Sequence, residues 1–449
     1  MKKLLLLPAL VVGLTAQAQD GVFWGERATG FSSPSTGVNE IRYVDANNVW
    51  ITGYDGSGAA TQYRVFSKSQ DGGETWTAGP ISLGSNDLGI GSLSAVSATT
   101  AYVAAFPNTA TVQGGIWKTE NGGSSWTKQP SASYNTGTDS FTNIVHFFDA
   151  NNGVTAGDPA SGYFEIYTTS NGGANWTRVP SSNIPLPQDG EYGYTRIYET
   201  VGDKIWMGTN KGRMLISENR GLNWSVVDTP IVDFGSADLG GSYSFETATK
   251  GIIIGNDYAQ YRTNDGGLTW SDAEFPDGTT RNGDVTYVPG FPDFLVSIGP
   301  DFNDDARGSS FSLDNGVTWT DFGEPMDAVS VVEFFDGTHG LASGFTVTPV
   351  EGGIYKWLSD FSEFLATVDF QSAKAVVATP NPTTGILNIA GKNISNVTAF
   401  DILGKQVSSA NYTSLDNVTL NLSGMNSGIY MVKVTNNAGA VSTIKVVKQ

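Results

Sequence analysis

Acidic and aromatic side chains recur in the polar segments that separate the short apolar runs of this sequence. Two facing carboxylates could act as general acid and general base on a glycosidic bond, and their separation would set the stereochemical outcome. The same oxygen atoms could ligate a calcium ion. Alternatively, these side chains cap turns and face water, because Asp is a common turn residue. The candidate ligand-binding residues are Asp55, Asp158, Glu191, Tyr192, Tyr194, Asp257, Arg281, Asp301, Asp304 and Arg307.

Calcium is the only metal for which the sequence offers a candidate, and no other cofactor is expected. The segment DFNDDARG, residues 301–308, resembles a calcium loop only in part. Its turn glycine is displaced to Gly308, and Ser312 stands where a bidentate Glu is needed. The chain has two histidines and no cysteine, so no zinc cluster is predicted. We expect His146, within an apolar run, to be a packed residue.

An eight-residue pattern occurs six times along the chain and indicates what positions these residues. Successive copies lie 46 to 50 residues apart. A repeat of this period, with short alternating apolar runs before each copy, is typical of a propeller blade of four strands. The copies are SQDGGETW (69–76), TENGGSSW (119–126), TSNGGANW (169–176), SENRGLNW (217–224), TNDGGLTW (263–270) and SLDNGVTW (312–319).

The third residue of each copy is Asp or Asn, and this exchange favours a structural role for the pattern. A catalytic carboxylate would not tolerate Asn, whereas an oxygen that closes a turn would. The glycines supply positive φ, and the Trp buries a large ring between neighbouring sheets. The structural residues predicted on this basis are Asp71, Trp76, Asn121, Trp126, Asn171, Trp176, Asn219, Trp224, Asp265, Trp270, Asp314 and Trp319.

The pattern S/T-x-D/N-x-G-x-x-W resembles the Asp-box, or bacterial neuraminidase, repeat of sialidases, sortilin-type receptors and many secreted propellers. The resemblance implies an all-β fold, a seven-bladed propeller over residues 20–370 in which each repeat is a hairpin. A seventh unit without a box follows the sixth at residues 328–360. We expect residues 22–28 to complete the last sheet, with residues 361–369 as the alternative. The candidate residues then lie on the face opposite the repeat hairpins.

The sialidases of this family need three arginines that grip a carboxylate, a Tyr nucleophile activated by a Glu, an acid–base Asp and an Arg-Ile/Leu-Pro stretch. Residues 26–30, ERATG, do not match that stretch, and several arginines alternate within apparent strands. The xyloglucan-hydrolysing relatives build their cleft between two propellers, whereas this chain has the length for one. Sialidase activity is therefore not predicted.

The N-terminal residues predict export. Lys2 and Lys3 precede an apolar run, Leu4 to Leu14, and a small-residue stretch ending at Ala18. This order is typical of a cleaved signal peptide, here residues 1–18, and the run is too short to span a bilayer. The net charge of −19 argues against a nucleic-acid partner. We expect a monomer without a transmembrane segment.

The last part of the chain carries a second resemblance. Residues 378–389 (ATPNPTTGILNI), 397–407, 420–434 and 442–449 are similar to the C-terminal sorting domain of proteins exported by the type IX secretion system of Bacteroidetes. The resemblance implies that residues 371–449 form a small β-sandwich, recognised by the type IX secretion machinery, and that the protein is secreted or attached to the outer cell surface. Turn residues between apolar runs independently predict six or seven short strands here.

Two functions follow as expectations. The first is a binding module for glycan or protein, because the acidic, Tyr-bearing loops lack a complete catalytic set. The alternative is a glycoside hydrolase, sialidase-like or other, that uses a pair of loop carboxylates on the face opposite the repeat hairpins. A propeller hosts unrelated functions, so the fold alone does not decide between them.

Overall fold

A computed structural model describes residues 23–59, 62–135, 137, 140–300, 307–323, 326, 329–362, 376–401, 405–437 and 441–449. The chain divides into two compact units, Met1–Leu358 and Ser359–Gln449. The predicted signal peptide and the predicted boundary between residues 370 and 371 lie outside the described residues. One 3₁₀ turn, Ser181–Asn183, interrupts a described structure that is otherwise built from strands.

The strands of the first unit form seven blades of a propeller, and the pairing of Gly37 with Phe345 joins the first and the last blade in one eight-stranded sheet. The first strand of each blade packs beside the first strand of the next, and the last one packs beside that of blade 1. Blades 1 to 3 contain, after the N-terminal strand β1 (Trp24–Ala28), the strands β2 (Thr36–Tyr43), β3 (Val49–Asp55), β4 (Val65–Ser69), β5 (Thr77–Pro80); β6 (Leu88–Ala95), β7 (Ala101–Pro107), β8 (Gly115–Thr119), β9 (Thr127–Lys128); β10 (Thr142–Phe147), β11 (Gly153–Ala160), β12 (Tyr163–Thr169) and β13 (Thr177–Arg178).

Blades 4 to 7 continue the same order from the channel outward, and blade 5 has three strands. Blade 6 has an additional short strand, β21, parallel to its outermost strand. The strands are β14 (Gly193–Val201), β15 (Lys204–Thr209), β16 (Arg213–Ser217), β17 (Ser225–Asp228); β18 (Gly241–Phe245), β19 (Gly251–Gly255), β20 (Gln260–Thr263); β21 (Asp277–Gly278), β22 (Asp284–Tyr287), β23 (Leu295–Pro300), β24 (Arg307–Ser312), β25 (Thr318–Asp321); β26 (Val332–Phe334), β27 (Gly340–Thr348) and β28 (Glu351–Trp357).

The second strands of the blades are apolar along their length because both of their faces are covered by neighbouring blades. All six residues of β15 and all five of β19 are buried. Aromatic rings join one blade to the next: Trp206 stacks on Phe245 with ring centroids 3.8 Å apart, and Tyr102 stacks on Phe147 at 3.7 Å. Stacked rings of this size dominate the energy of a core, so the blades form one packed ring rather than seven independent sheets.

The ring is closed by the N-terminal strand. β1 pairs antiparallel with β28, with Trp24 opposite Trp357 and Ala28 opposite Gly353. The prediction that the N-terminal residues complete the last sheet is thereby confirmed. Residues 363–369 of the alternative segment lie outside the described part of the chain. Closure of this kind leaves blade 7 with four strands and a protected edge.

Each of the six repeats forms a turn after the third strand of its blade, and in the five blades that have a fourth strand it connects the two; we call these the repeat turns. In the first, Asp71 Oδ1 accepts from Ser69 Oγ at 2.7 Å and from the backbone N–H of Thr75 at 2.9 Å. Asn171 Oδ1 accepts in the same way from Thr169 Oγ1 at 3.0 Å and Asn175 N–H at 2.9 Å. Because only one acceptor oxygen is needed for these two bonds, Asp and Asn are interchangeable here.

The repeat turns define one face of the propeller, the repeat-turn face. Connections between second and third strands, and between blades, lie at the other end of the strands, and we call that end the opposite face. The candidate residues that the structure describes lie in or beside these connections.

The second unit is a small β-structure of five strands in the order β29-β30-β32-β33, with β31 paired to β30. Six or seven short strands were expected, and the described residues of this unit form five, because β30 runs on through shifts of register after Ala390 and pairs with β31 along most of its length. Its buried residues include Leu387, Val397, Leu420 and Val432. The strands are β29 (Val377–Thr379), β30 (Ile386–Asp401), β31 (Gln406–Asn421), β32 (Gly428–Asn436) and β33 (Val441–Lys448).

Candidate functional site

Several of the candidate carboxylates close turns on the opposite face. Asp55 Oδ1 accepts from the backbone N–H of Ser57 at 2.9 Å. Asp257 Oδ1 accepts from the N–H of Ala259 at 3.1 Å. Both are short-range bonds of the kind that Asp makes in turns, so these oxygens contribute to loop geometry.

Asp158 joins two blades. Its Oδ1 accepts from Asn143 Nδ2 at 2.6 Å and from the backbone N–H of Gly193 at 3.1 Å. Burial raises the pKa of Asp158 to about 6, although both hydrogen bonds favour the ionised form. The carboxyl is therefore placed between blades 3 and 4 and is held by structural donors.

Glu191 is buried, with 4% of its surface exposed, and it forms an ion pair with Arg213. It also accepts from Thr209 Oγ1 at 2.8 Å and from the backbone N–H of Gln188 at 2.8 Å. Burial raises the pKa of this carboxyl, but the hydrogen bonds from Arg213 and the loop outweigh that effect and leave the pKa lowered. Glu191 thus anchors the connection between blades 3 and 4.

The two cationic candidates lie in blade 6. Arg281 is 3% exposed and its Nη2 lies 2.7 Å from Asp321 Oδ2. Arg307 begins β24, where it pairs with Pro300. Residues 301–306 of the partial calcium loop, which include Asp301 and Asp304, lie outside the described residues. In the part of the chain that the structure describes, no three His, Asp or Glu side chains are grouped as a metal site would need.

The two tyrosines are the candidates that lie beside a cavity. Their rings are arranged edge to face with centroids 5.4 Å apart. Tyr194 donates its hydroxyl to Asp233 Oδ1 at 2.6 Å and lines the cavity, while Tyr192 is 41% exposed. Burial, followed by the bond to Asp233, raises the pKa of Tyr194, so its hydroxyl stays protonated and acts as a donor.

A cavity of about 490 Å³ occupies the end of the central channel on the opposite face. The first strands of blades 1, 4, 5, 6 and 7 supply most of its wall because those strands surround the channel. We call it the channel cavity. Six of its lining residues carry charge: Glu40, Arg42, Arg196, Glu199, Asp284 and Glu333.

Two of these residues, Glu40 and Arg42, are held by each other and by further partners. Arg42 Nη2 lies 2.7 Å from Glu40 Oε1, and its guanidinium lies over the Tyr198 ring, 5.0 Å from the centroid. Glu40 Oε2 also accepts from the N–H of Leu93 in blade 2 at 2.6 Å. Such pairs compensate each other's burial and hold neighbouring blades together.

Asp284 joins three blades. It accepts from Ser242 Oγ at 2.6 Å, from its neighbour Val285 N–H at 2.9 Å and from Val332 N–H at 3.0 Å. Burial raises the pKa of Asp284 despite these donors. The carboxyl is thereby oriented by blades 5 and 7 and contributes to the ring as well as to the cavity wall.

Arg196 has an unusual backbone conformation for a residue within a strand. Its φ is +67°, and the register between β14 and β15 shifts between Gly193 and Tyr198. Its Nη1 donates to the backbone carbonyl of Asn39 in blade 1 at 2.6 Å, across the channel. Burial lowers the pKa of Arg196, opposed by the negative charge of Glu40. Left-handed conformations at non-glycine residues are costly and cluster at functional sites.

Glu199 and Glu333 lie where the channel cavity meets a second cavity of about 400 Å³, because both residues line both. The second cavity opens among the connections of the repeat-turn face, next to Val201, Glu246 and residues 288–292. Burial raises the pKa of Glu199 to about 8, and the charge of Glu333 adds to this. Burial also raises the pKa of Glu333 to about 7, with Arg42 opposing.

These two raised pKa values predict a pH-dependent stability. A carboxyl whose folded pKa lies above its unfolded value favours the folded state at low pH, and this contribution disappears as pH rises through the folded pKa. We expect the free energy of unfolding to fall between about pH 5 and pH 8, by roughly 1–3 kcal/mol after allowance for water in the channel. Urea denaturation at pH 5.5 and pH 9 measures it.

The double variant Glu199→Gln with Glu333→Gln should flatten this pH dependence. Glu218→Gln is a matched control, because the Glu218 side chain is 75% exposed. If the free energy of unfolding falls by the same amount between pH 5.5 and pH 9 in the double variant and in the parent, these two glutamates are not the source of the pH dependence.

Sequence reasoning found Tyr194 but not the charged residues of the channel. The predicted candidates lie mainly in loops, whereas the charged side chains of the channel lie within the first strands of the blades. A signal was present in the sequence: EIRY, RIYE and VVEFF each place charged residues inside an apolar run that becomes a first strand. Charges are rarely buried unless they are paired or functional, so this exception to the apolar pattern is informative. His146 packs edge to face against Phe148, with centroids 4.7 Å apart, as predicted for a core residue.

Comparison with known proteins identifies the second unit. Residues 378–449 match the family model described as a secretion system C-terminal sorting domain. Residues 378–449 are a type IX secretion sorting domain. The sorting domain marks proteins that are exported and attached to the cell surface, so the protein is secreted or held at the outer cell surface and interacts with the secretion machinery. No helix among the described residues is long and apolar enough to cross a membrane.

Three solved structures are similar to this chain, and the likeness to the first of them extends to the fold of the propeller. The structure described as YCF48 bound to D1 peptide is 16% identical with a TM-score of 0.52, covering 75% of this chain and 97% of that one. YCF48 from Cyanidioschyzon merolae is 14% identical with a TM-score of 0.33, covering 75% and 99%. The GH74 xyloglucanase from Xanthomonas campestris is 11% identical with a TM-score of 0.26, covering 90% and 72%. No curated protein sequence matches the chain.

Proposed function

We propose that the propeller is a binding module that holds an extended segment of another protein at the channel cavity on the opposite face. The observation that carries this proposal is a set of exposed apolar side chains on the two connections that lead into and out of blade 4, which we call the loop patch. It consists of Leu186, 76% exposed, Tyr192, 41% exposed, Val232, 63% exposed, and Leu239, 58% exposed. Exposed apolar groups that are contiguous with a cavity are typical of protein interaction sites.

The loop patch is continuous with the cavity along the chain. The connection between blades 4 and 5 carries Val232 and Leu239, and residues 234–237 between them line the cavity. Phe234 is buried against Tyr243 with ring centroids 5.3 Å apart, which anchors this connection to β18. A ligand that fills the cavity would therefore extend over the patch without a change in the fold.

The composition of the loop patch favours protein over glycan as the ligand. Three of its four members are aliphatic, and aliphatic side chains gain most by burying apolar groups of a partner. The propeller structure with a TM-score of 0.52 is described as bound to a peptide, so this fold can hold one. At 16% identity the likeness extends to the fold alone.

Glycoside hydrolysis is the second candidate, and the raised pKa values of Glu199 and Glu333 favour it. A glycosidase needs one protonated and one ionised carboxyl across the scissile bond. Asp284 and Glu40, the remaining carboxyls of the cavity, already accept two or more bonds each from the ring, which makes them poor nucleophiles. Binding without sugar release is therefore the primary proposal.

The test is a set of peptide and glycan arrays probed with the purified protein, with and without calcium, followed by a reducing-sugar assay on each bound glycan. Ala237→Trp places a large ring at the cavity and should abolish binding of any peptide ligand. Ala150→Trp, at an exposed position on the repeat-turn face, is the matched control and should not. Release of sugar would replace the proposal with the hydrolase, and peptide binding that survives Ala237→Trp would place the site elsewhere.

A further inference from the structure

We infer that the protein segment bound at the channel cavity is basic, with a Lys or Arg side chain that enters the channel as far as Glu199 and Glu333 while its aliphatic neighbours cover the loop patch. This inference rests on the proposed function and names the chemistry of the partner. It is carried by the position of the two glutamates, by their bonding and by the charge of the surrounding loops.

The two glutamates differ from the other carboxyls of the channel in how little holds them. The hydrogen bond to Glu199 comes from the backbone N–H of the next residue, Thr200, at 3.2 Å. The cation next to Glu333 is Arg42, at 3.8 Å, and Arg42 lies closer to Glu40, at 2.7 Å. Glu199 and Glu333 thus have acceptor capacity that the surrounding described residues leave largely unused, whereas Asp284 accepts three bonds.

The Glu333 side chain is 37% exposed, so a side chain brought by a ligand can reach it. A cation there would compensate the desolvation that raises the pKa of both carboxyls. Lys and Arg carry their charge at the end of an apolar stem, so such a side chain can line the channel wall with its stem and place its charge at the two glutamates. A charge-assisted hydrogen bond of this kind is stronger than one between neutral groups.

The loops around the cavity have the same sign. The connections that carry the loop patch, residues 184–192 and 229–240, contain Asp189, Glu191, Asp233 and Asp238 and no Lys or Arg. The chain as a whole has a net charge of −19, and the sorting domain contributes none of that excess, since residues 378–449 contain more Lys than acidic residues. A partner of opposite charge would be steered to this face.

Two arginines line the same cavity and argue for the contrary partner, an acidic segment. Arg42 is already engaged by Glu40 and by the ring of Tyr198, and Arg196 donates to the carbonyl of Asn39. These contacts hold both guanidinium groups against the strands that surround the channel. The carboxyls at the deep end of the cavity therefore determine the charge that a ligand meets there.

The test compares three peptide libraries that share randomised aliphatic positions and differ in a central residue, Lys, Gln or Glu. We expect the purified protein to bind Lys peptides about tenfold more tightly than Gln peptides and Glu peptides most weakly. The preference for Lys should shrink as the salt concentration rises. It should grow between pH 6 and pH 9, as Glu199 and Glu333 ionise beside Arg42, Glu40 and Asp284.

The double variant Glu199→Gln with Glu333→Gln should remove the preference for Lys, so that Lys and Gln peptides bind this variant with equal affinity. Glu218→Gln, on an exposed side chain far from the channel entrance of the opposite face, is the charge-matched control. Equal or tighter binding of Gln or Glu peptides overturns this inference and leaves the proposed function standing. Binding of no peptide library overturns both.

Discussion

Trp24→Ala should lower the free energy of unfolding by about 3–5 kcal/mol, the cost of removing a large aromatic side chain from a core. Trp24 is 5% exposed although it lies in the outermost strand of its blade. Its ring packs edge to face on Trp357, with centroids 5.2 Å apart, and on Phe334, at 5.8 Å. Its Nε1 donates to Ser309 Oγ of blade 6 at 2.9 Å.

The size of this effect follows from the place of Trp24 in the ring. The residue joins three parts of the chain that are far apart in sequence: the N-terminal strand, the end of blade 7 and the third strand of blade 6. Loss of its ring leaves a cavity and also weakens the one strand that closes the propeller. Urea denaturation followed by circular dichroism measures the loss.

Phe275→Ala is the matched control, because Phe275 is also aromatic but is 69% exposed, and its change should cost less than about 0.5 kcal/mol. A Trp24→Ala variant as stable as this control would show that β1 contributes little to closure, and blade 7 would then depend on its own three strands.

The fold could be predicted because its information is repeated. Six copies of one pattern at nearly constant spacing define the number of hairpins, and a unit without the pattern adds the seventh blade. The position of the strand that contains Trp24 followed from a count of strands, since one strand precedes the first blade and the last blade lacks one. Each of these inferences used a local pattern whose structural meaning does not depend on distant residues.

The channel cavity could not be predicted in the same way. Which side chains of β14 face the channel depends on the register of that strand, and the register shifts near Arg196, whose φ of +67° breaks the alternation. A one-residue slip moves every side chain of a strand to its other face. The sequence shows charged residues in these runs, but their convergence follows from the closure of seven blades.

For Glu191, the sequence shows an acidic residue in a connection between blades but not the residues that it contacts. The sequence places it beside Tyr192 and Tyr194 in an acidic connection, which suggests a ligand group. In the structure, Arg213 returns from the third strand of blade 4 and binds it. An ion pair between residues 22 positions apart leaves no local signature, so exposed and buried carboxylates look alike in a sequence.

Arg213→Met should lower the free energy of unfolding by about 3–5 kcal/mol, because it leaves the buried charge of Glu191 without its partner. Glu191 Oε1 accepts from Arg213 Nε at 3.0 Å, and Arg213 Nη2 also donates to the carbonyl of Leu186 at 3.1 Å. The loss should be smaller at acid pH, where Glu191 takes up a proton. Thermal and urea denaturation between pH 4 and pH 8 measure both effects.

The double variant Arg213→Met with Glu191→Gln should recover most of that stability, because a neutral amide needs no cation and still accepts from Thr209 Oγ1 or from the N–H of Gln188. Recovery of stability in the double variant would show that Glu191 and Arg213 form a structural ion pair. If Glu191 were instead a ligand group, its replacement would weaken ligand binding without changing the free energy of unfolding. Because Arg213 also holds the carbonyl of Leu186, the single and the double variant both lose that bond, and both should loosen the loop patch and weaken peptide binding. If Glu191→Gln alone abolishes binding while the protein unfolds at the same urea concentration as the parent, Glu191 belongs to the ligand site, and the boundary of that site extends beyond the channel cavity.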